Sequence, residues 1–227
     1  KELENMISDY LNVKNCLMTT SGTSAIILAL MSLNLNEGDK VIVPNYTMIA
    51  TVNSIKHLGL EPVIVDVDSD TFTIDINSIE NLIDHKTKAI IHVSLNNRYK
   101  NLEELVLYCK NNNLYLIEDA AQSLGSKCGN KNLGTYGDIG CFSLSTPKII
   151  STGQGGFVVT NNDLLSEKMN MLKNFGRKES GKDNFESFGL NMKFTDLQAV
   201  VGIEQMKQLD DRVLKMKLIY NQYYDNL

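Results

Sequence analysis

The sequence predicts an α/β fold: three layers, with a mostly parallel sheet between helices on both faces. Two observations carry this expectation. Short apolar runs of strand length alternate with helix-length amphipathic segments from one end to the other, the mark of a sheet built from crossover units. The polar and Gly-rich motifs then fall directly after strands, where open sheets of this kind gather their ligands.

Taken in order, residues 1–11 read as a helix, and 16–20 as a short strand ending at Ser21-Gly22-Thr23-Ser24. A helix over 25–33 is followed by a turn at Asn36-Glu37-Gly38-Asp39 and a strand over 40–43 that Pro44 stops. Helical spacing returns over 47–58, then come a Val- and Ile-rich strand over 61–67, a short helix over 79–83 and a buried strand over 89–93. Residues 101–112 place Leu102, Leu105, Val106 and Cys109 on one helix face. A strand over 114–117 runs into Glu118-Asp119-Ala120-Ala121-Gln122. Strands over 141–144 and 156–160 precede helices over 161–175 and 195–209, and another helix opens at Arg212. Residues 176–188, polar and mixed in charge, read as an exposed loop.

A length of 227 residues allows one large domain or two small ones with a substantial core. A net charge of -5 without a basic block argues against nucleic acid as a partner. Apolar runs such as residues 25–31 are too short to cross a bilayer, and residues 1–11 do not resemble a signal peptide. The 4 cysteines form no CxxC pair and the 3 histidines no zinc cluster with them. Scattered cysteines fit reduced thiols, so the expectation is a cytoplasmic protein without metal.

Three strand ends carry chemistry. Ser21-Gly22-Thr23-Ser24-Ala25 opens a helix, whose free N–H groups and dipole suit a phosphate, although a plain N-cap would use the same residues. Asp119 ends a strand, where its carboxylate can pair with a protonated ring nitrogen or cap a following helix. Gln122 can donate to a phenolic oxygen there or stand in solvent. Lys148 lies between a small-residue strand and Gly153-Gln154-Gly155-Gly156, five residues after Ser143. Held out of bulk water, its amine becomes nucleophilic enough to capture an aldehyde; on a surface turn it would be inert. Hydrolase and Rossmann signatures are missing; His92, ending a strand, reads as a satisfied core histidine or as one that reaches the pocket, with His57 and His85 on the surface. Together, phosphate cradle, acid and lysine describe a site for pyridoxal 5′-phosphate (PLP).

These motifs, with Val43-Pro44 and Thr47, Gly137-Asp138-Ile139-Gly140 and the segment 191–199, resemble the DegT/DnrJ/EryC1/StrS family of nucleotide-sugar aminotransferases. The resemblance covers about residues 10–209 and implies the large domain of the aspartate-aminotransferase (type I PLP) fold. It implies that Lys148 forms a Schiff base with the cofactor and then moves a proton between substrate carbon and C4′. Asp119 would hold the pyridine nitrogen protonated and Gln122 would contact the ring hydroxyl. Thr23, Ser24 and Ser143 would bind the phosphate, and Asn191 would reach a neighbour's cofactor phosphate across a homodimer interface. L-Glutamate is the implied donor and a nucleotide-linked 4-keto-6-deoxy-sugar the acceptor.

Three positions depart from the family pattern. Met48 stands where relatives stack an aromatic residue on the ring, Gln154 where they carry Glu, and Asn96-Asn97-Arg98 where they often have a Gly-containing loop. The expected organisation is a PLP-binding large domain over 1–209, its start missing. Residues 210–227 would begin a connecting helix toward a small C-terminal domain absent from the chain. The rival activities are a keto-sugar dehydratase of the same fold, whose relatives replace the lysine with histidine, and a non-catalytic scaffold.

Overall fold

A computed structural model describes residues 1–179 and 181–226. Residue 180 of the expected exposed loop, and residue 227 of the expected last helix, lie outside the described residues. The element order is α1 (Glu2–Leu11), β1 (Asn15–Thr19), α2 (Gly22–Ser32), β2 (Lys40–Pro44), α3 (Ile49–His57), β3 (Glu61–Val65), β4 (Thr87–Val93), α4 (Leu102–Asn111) and β5 (Tyr115–Asp119). There follow β6 (Lys127–Cys128), β7 (Lys131–Asn132), β8 (Ile139–Ser143), β9 (Gly156–Thr160), α5 (Asp163–Leu172), α6 (Asp196–Met206) and α7 (Leu209–Asn226).

Seven strands form one sheet in the order β1-β9-β8-β5-β4-β2-β3. The pairs β2–β3, β2–β4, β4–β5 and β5–β8 are parallel, whereas β9 runs antiparallel to both β8 and β1. Because β9 alone is reversed, the carboxyl ends of β1, β8, β5, β4, β2 and β3 share one edge with Gly156, the first residue of β9. That edge receives every motif singled out above at a strand end.

Helices cover both faces, as the alternating pattern predicts. On one face α2 packs with Ile55 of α3 and Met169 and Leu172 of α5 over Ile91, Val93, Ile117 and Ile139. On the other, Leu3, Ile7 and Leu11 of α1 meet Phe142, Phe157 and Met206. Leu105 and Cys109 of α4 cover Ile42, Ile90 and Leu116. The Phe142 and Phe157 rings stack at 4.6 Å, and truncating either to Ala should cost roughly 3–5 kcal/mol. No helix among the described residues is long and apolar enough to cross a membrane.

Several expectations need correction. The short helix over 79–83 is a pair of 3-10 turns, Ile76–Ser78 and Glu80–Leu82. Local bonds from Asn77 N–H to Asp75 and from Ser78 Oγ to the Asp75 carbonyl compete there with α-helical pairing. No helix follows Asp119; its Oδ1 instead accepts the Ala121 N–H at 3.2 Å and closes a turn. The ribbon β6–β7 is too short to show periodicity and was not expected. The last helix starts at the buried Leu209, ahead of Arg212.

His92 is buried as expected but not satisfied: neither ring nitrogen has a hydrogen-bond partner among the described residues. It lies in register with Glu118, whose carboxylate accepts the N–H groups of Gly134, Tyr136 and Gly137 at 2.8, 2.5 and 2.7 Å. Burial pushes the Glu118 carboxyl up while those N–H donors pull it back. Burial alone pushes the His92 imidazole down to about 4 from its ordinary 6.5. The unfolded chain therefore takes up a proton that the folded chain refuses between these values. Stability should be lost as pH falls from 6.5 to 4, by up to about 3 kcal/mol at about 1.4 kcal/mol per unit. Urea unfolding across that range should show the slope, and His92→Leu should flatten it.

Candidate active site

The first wall of the site is the start of α2. Ser21 caps it from an extended conformation, accepting the Ser24 N–H at 3.0 Å. The Ser24 hydroxyl lies 2.9 Å from that of Ser21 and 2.8 Å from that of Thr20. Thr23 is exposed in the first turn, where helix N–H groups lack internal partners. The absence of a side chain at Gly22 is structural: a Cβ there would stand 2.9 Å from Ser143 Cβ. The helix start and the end of β8 are thus pressed together. Ser143 Oγ donates to Ser145 Oγ at 3.1 Å and accepts the Ser145 N–H at 3.3 Å. A helix N-terminus lined by hydroxyls from two elements is a cradle for a phosphate dianion.

Asp119 is buried at the end of β5, and its Oδ2 accepts the Thr51 hydroxyl at 2.8 Å. The Thr51 hydroxyl is itself 3.0 Å from that of Thr47, just ahead of α3. Burial pushes the Asp119 carboxyl up; Thr51, the Ala121 N–H and the charge of Lys148 draw it back. Lys148 is half-buried, and burial pushes its amine down, opposed by the Asp119 carboxylate. Each group feels the other, so the lysine and the acid share one site. Its lowered affinity for the proton makes the amine a better nucleophile near neutral pH.

Gln122 is exposed, and its Oε1 accepts the Asn96 N–H at 2.7 Å. That bond leaves its NH2 group to donate, and ties the 95–97 turn to the site. Met48 precedes the first residue of α3 and is 65% exposed, so its thioether is free to cover a ring. Asn191 is also exposed; it bridges Asn174, and its Oδ1 accepts the Lys193 N–H at 3.3 Å. Nothing among the described hydrogen bonds joins it to Lys148, Asp119 or Ser143. The Gln154 side chain is exposed, and only its carbonyl is engaged, by Thr152 Oγ1 and Gln198 Nε2, each at 2.7 Å. A main-chain acceptor is indifferent to whether the side chain is Gln or Glu.

Sequence reasoning missed Thr51 as the partner of Asp119, a bond between residues far apart in the chain. A cavity of about 530 Å³ beside Gly137, Asp138 and Asn161–Leu164 lies at the opposite sheet edge, away from this chemistry. The residues present fit PLP on the structure's own terms. Gly22 lets a hydroxyl-lined helix start close against Ser143, Asp119 is a buried acid with only neutral donors bonded to it, and Lys148 is a partly desolvated amine.

This fold and this arrangement of strand-end residues define the aspartate-aminotransferase class. The DegT/DnrJ/EryC1/StrS aminotransferase family matches residues 1–227, and the chain belongs to that family. It is 37% identical over 227 residues to the GDP-perosamine synthase of Escherichia coli O157:H7, covering 100% of this chain and 62% of that protein. An aminotransferase from Psychrobacter cryohalolentis superposes with a TM-score of 0.86 at 33% identity, covering 92% of this chain and 56% of that one. The E. coli GDP-4-keto-6-deoxy-D-mannose-3-dehydratase with bound hydrated PLP superposes at 0.85 and 28% identity, covering 92% and 60%. The chain thus spans about three-fifths of the length of these relatives.

The opposed charges give a direct test. In cofactor-free protein, Asp119→Asn removes the carboxylate that stabilises the Lys148 ammonium, so the amine should titrate at still lower pH. Reductive 13C-methylation followed by NMR titration reads that midpoint; an unchanged or higher value would separate the two residues.

Proposed function

We propose that the protein is a PLP-dependent aminotransferase, moving an amino group from L-glutamate to a nucleotide-linked 4-keto-6-deoxy-sugar. The observation that carries this reading is the half-buried Lys148, its amine lowered by burial and opposed by the buried Asp119. Family membership and the 37% identity to a GDP-perosamine synthase support the substrate class.

In this reading Thr23, Ser24 and Ser143 hold the cofactor phosphate, Gln122 donates to the ring hydroxyl, and Met48 covers the ring face. The cofactor, when bound, supplies an electron sink for the carbon that bears the amino group. Asp119 keeps the ring nitrogen protonated, and its burial strengthens that charge-assisted bond. Lys148 holds the aldehyde between turnovers and carries the proton at the amino-bearing carbon. The lysine favours transamination over the dehydration performed by the E. coli neighbour.

The working unit is a homodimer with shared sites. Asn191, exposed and unengaged by its own chain's site, reaches the partner's cofactor phosphate. The outward side chains Leu197, Val200 and Val201 of α6, 83%, 63% and 47% exposed, form an apolar face for that contact. Residues 1–209 act as the cofactor-binding domain and 210–227 lead toward a small domain. The free cysteines suit a reducing cytoplasm.

Lys148→Ala should lower turnover with glutamate and a panel of nucleotide keto-sugars by roughly 10²–10⁴-fold. Transamination at the wild-type rate would exclude the assignment. Asn191→Ala, in a dimer confirmed by light scattering, should retain cofactor less tightly; unchanged affinity would remove its role across the interface.

A further inference from the structure

The backbone that follows Lys148 is gripped from outside by α6 and α7. Gln198 Nε2 donates to the Gln154 carbonyl at 2.7 Å, Gln205 Oε1 accepts the Ser151 N–H at 3.3 Å, and Arg212 donates to the Ile149 carbonyl at 2.9 Å. The same loop is closed internally by Leu144 N–H to the Gly155 carbonyl at 2.8 Å and Thr152 N–H to the Leu144 carbonyl at 3.0 Å. Within the span 149–154, Thr152 Oγ1 donates to the Gln154 carbonyl and the Gly153 N–H to Ser151 Oγ, while Ser151 Oγ donates to the Leu144 carbonyl, Thr146 Oγ1 donates to the Gly153 carbonyl, and Ile150 is buried in the core. To the burial of Ile150 and the bonds to Leu144, the helix side chains thus add the polar contacts that tie this span to α6 and α7.

We infer that Gln198, Gln205 and Arg212 are positioning residues for Lys148, fixing the loop that aims its amine at the site. The inference rests on the reading of Lys148 as the residue that holds PLP. Burial explains why such a grip is needed: Lys148 is a long side chain whose amine is partly out of water, and only a fixed backbone keeps it aimed. Gln198 has two jobs that chemistry separates. Its Oε1 accepts the Thr195 N–H and hydroxyl in a capping box, while its Nε2 holds the loop. Glutamate at this position would keep the cap, for which it is a favoured residue, and lose only the loop bond. At Gln205 the logic is reversed, since the loop donates and the side chain accepts.

The experiment uses full-length apo-protein and added PLP. The lysine nitrogen adds to the aldehyde carbon with loss of one water, and borohydride then delivers hydride to that carbon, leaving a stable secondary amine that peptide mapping locates. Gln198→Glu should slow capture at Lys148 by about two- to tenfold, the value of one hydrogen bond, at an unchanged melting temperature. Gln205→Leu should slow it by a similar factor, and Gln205→Glu, which retains the acceptor oxygen, should restore most of that loss. Wild-type capture rates at Lys148 in both Gln198→Glu and Gln205→Leu would overturn the positioning role alone. A wild-type adduct mapped to a lysine other than Lys148 would overturn the underlying reading, and the positioning role with it.

Discussion

Asp119 is the constraint around which the site is built. A carboxylate removed from water is costly unless its lone pairs find donors, and here Thr51 and the Ala121 N–H are neutral donors. Neither neutralises its charge. The opposing cation is Lys148, itself partly desolvated and lowered in proton affinity. Such a pair is stabilised by mutual attraction but kept short of full satisfaction, which is the condition in which a buried acid can still bind a protonated ring nitrogen strongly. Placing these groups takes strands β5 and β8, helix α3 and the lysine loop together, so the local chemistry depends on the whole sheet edge.

Close approach of backbone makes that edge compact. Gly22 lies against Ser143, and a Cβ at Gly156 would fall 2.4 Å from the Ser21 carbonyl carbon. These two glycines let β1, β8 and β9 bring the start of α2 and the end of β8 within one phosphate's reach. Reversal of β9 serves the same end: its first residue, not its last, joins the ligand edge, and the Gly-rich turn after Lys148 enters it directly.

Much of this was legible in the amino-acid order because it is local. The alternation of strands and helices, the Ser21–Ser24 helix start, and Asp119 and Ser143 at strand ends are all encoded within short windows. Thr51 was not legible: its bond to Asp119 joins residues 68 apart in sequence. Nor was the grip on the lysine loop, where Gln205 and Ser151 are 54 apart and Arg212 and Ile149 are 63 apart. His92 shows a different limit. Its apolar surroundings in sequence correctly placed it in the core, but whether a buried imidazole finds a partner depends on neighbouring strands. In register it faces Glu118, whose oxygens already accept N–H donors from the 134–137 turn. The 3-10 turns near 79 failed for a nearer reason, since Asp75 and Ser78 satisfy the backbone locally and remove the advantage of an α-helix.

Helix α6 is two-sided, and its two sides bear on one another. Inward, Gly202 permits a very close approach: a Cβ there would stand 2.6 Å from Leu3 Cδ2 and 3.3 Å from Thr152 Cγ2. Outward, Leu197, Val200 and Val201 remain bare. A helix seated this tightly cannot shift on its outer face without moving the loop it holds on its inner face, because packed interiors transmit strain and do not absorb it. In the proposed dimer, covering the outer face by a second copy would thus also secure the lysine loop. Assembly and the aim of Lys148 would then draw on a single rigid element, because the face that a second copy would cover and the side chains that hold the lysine loop belong to the same helix.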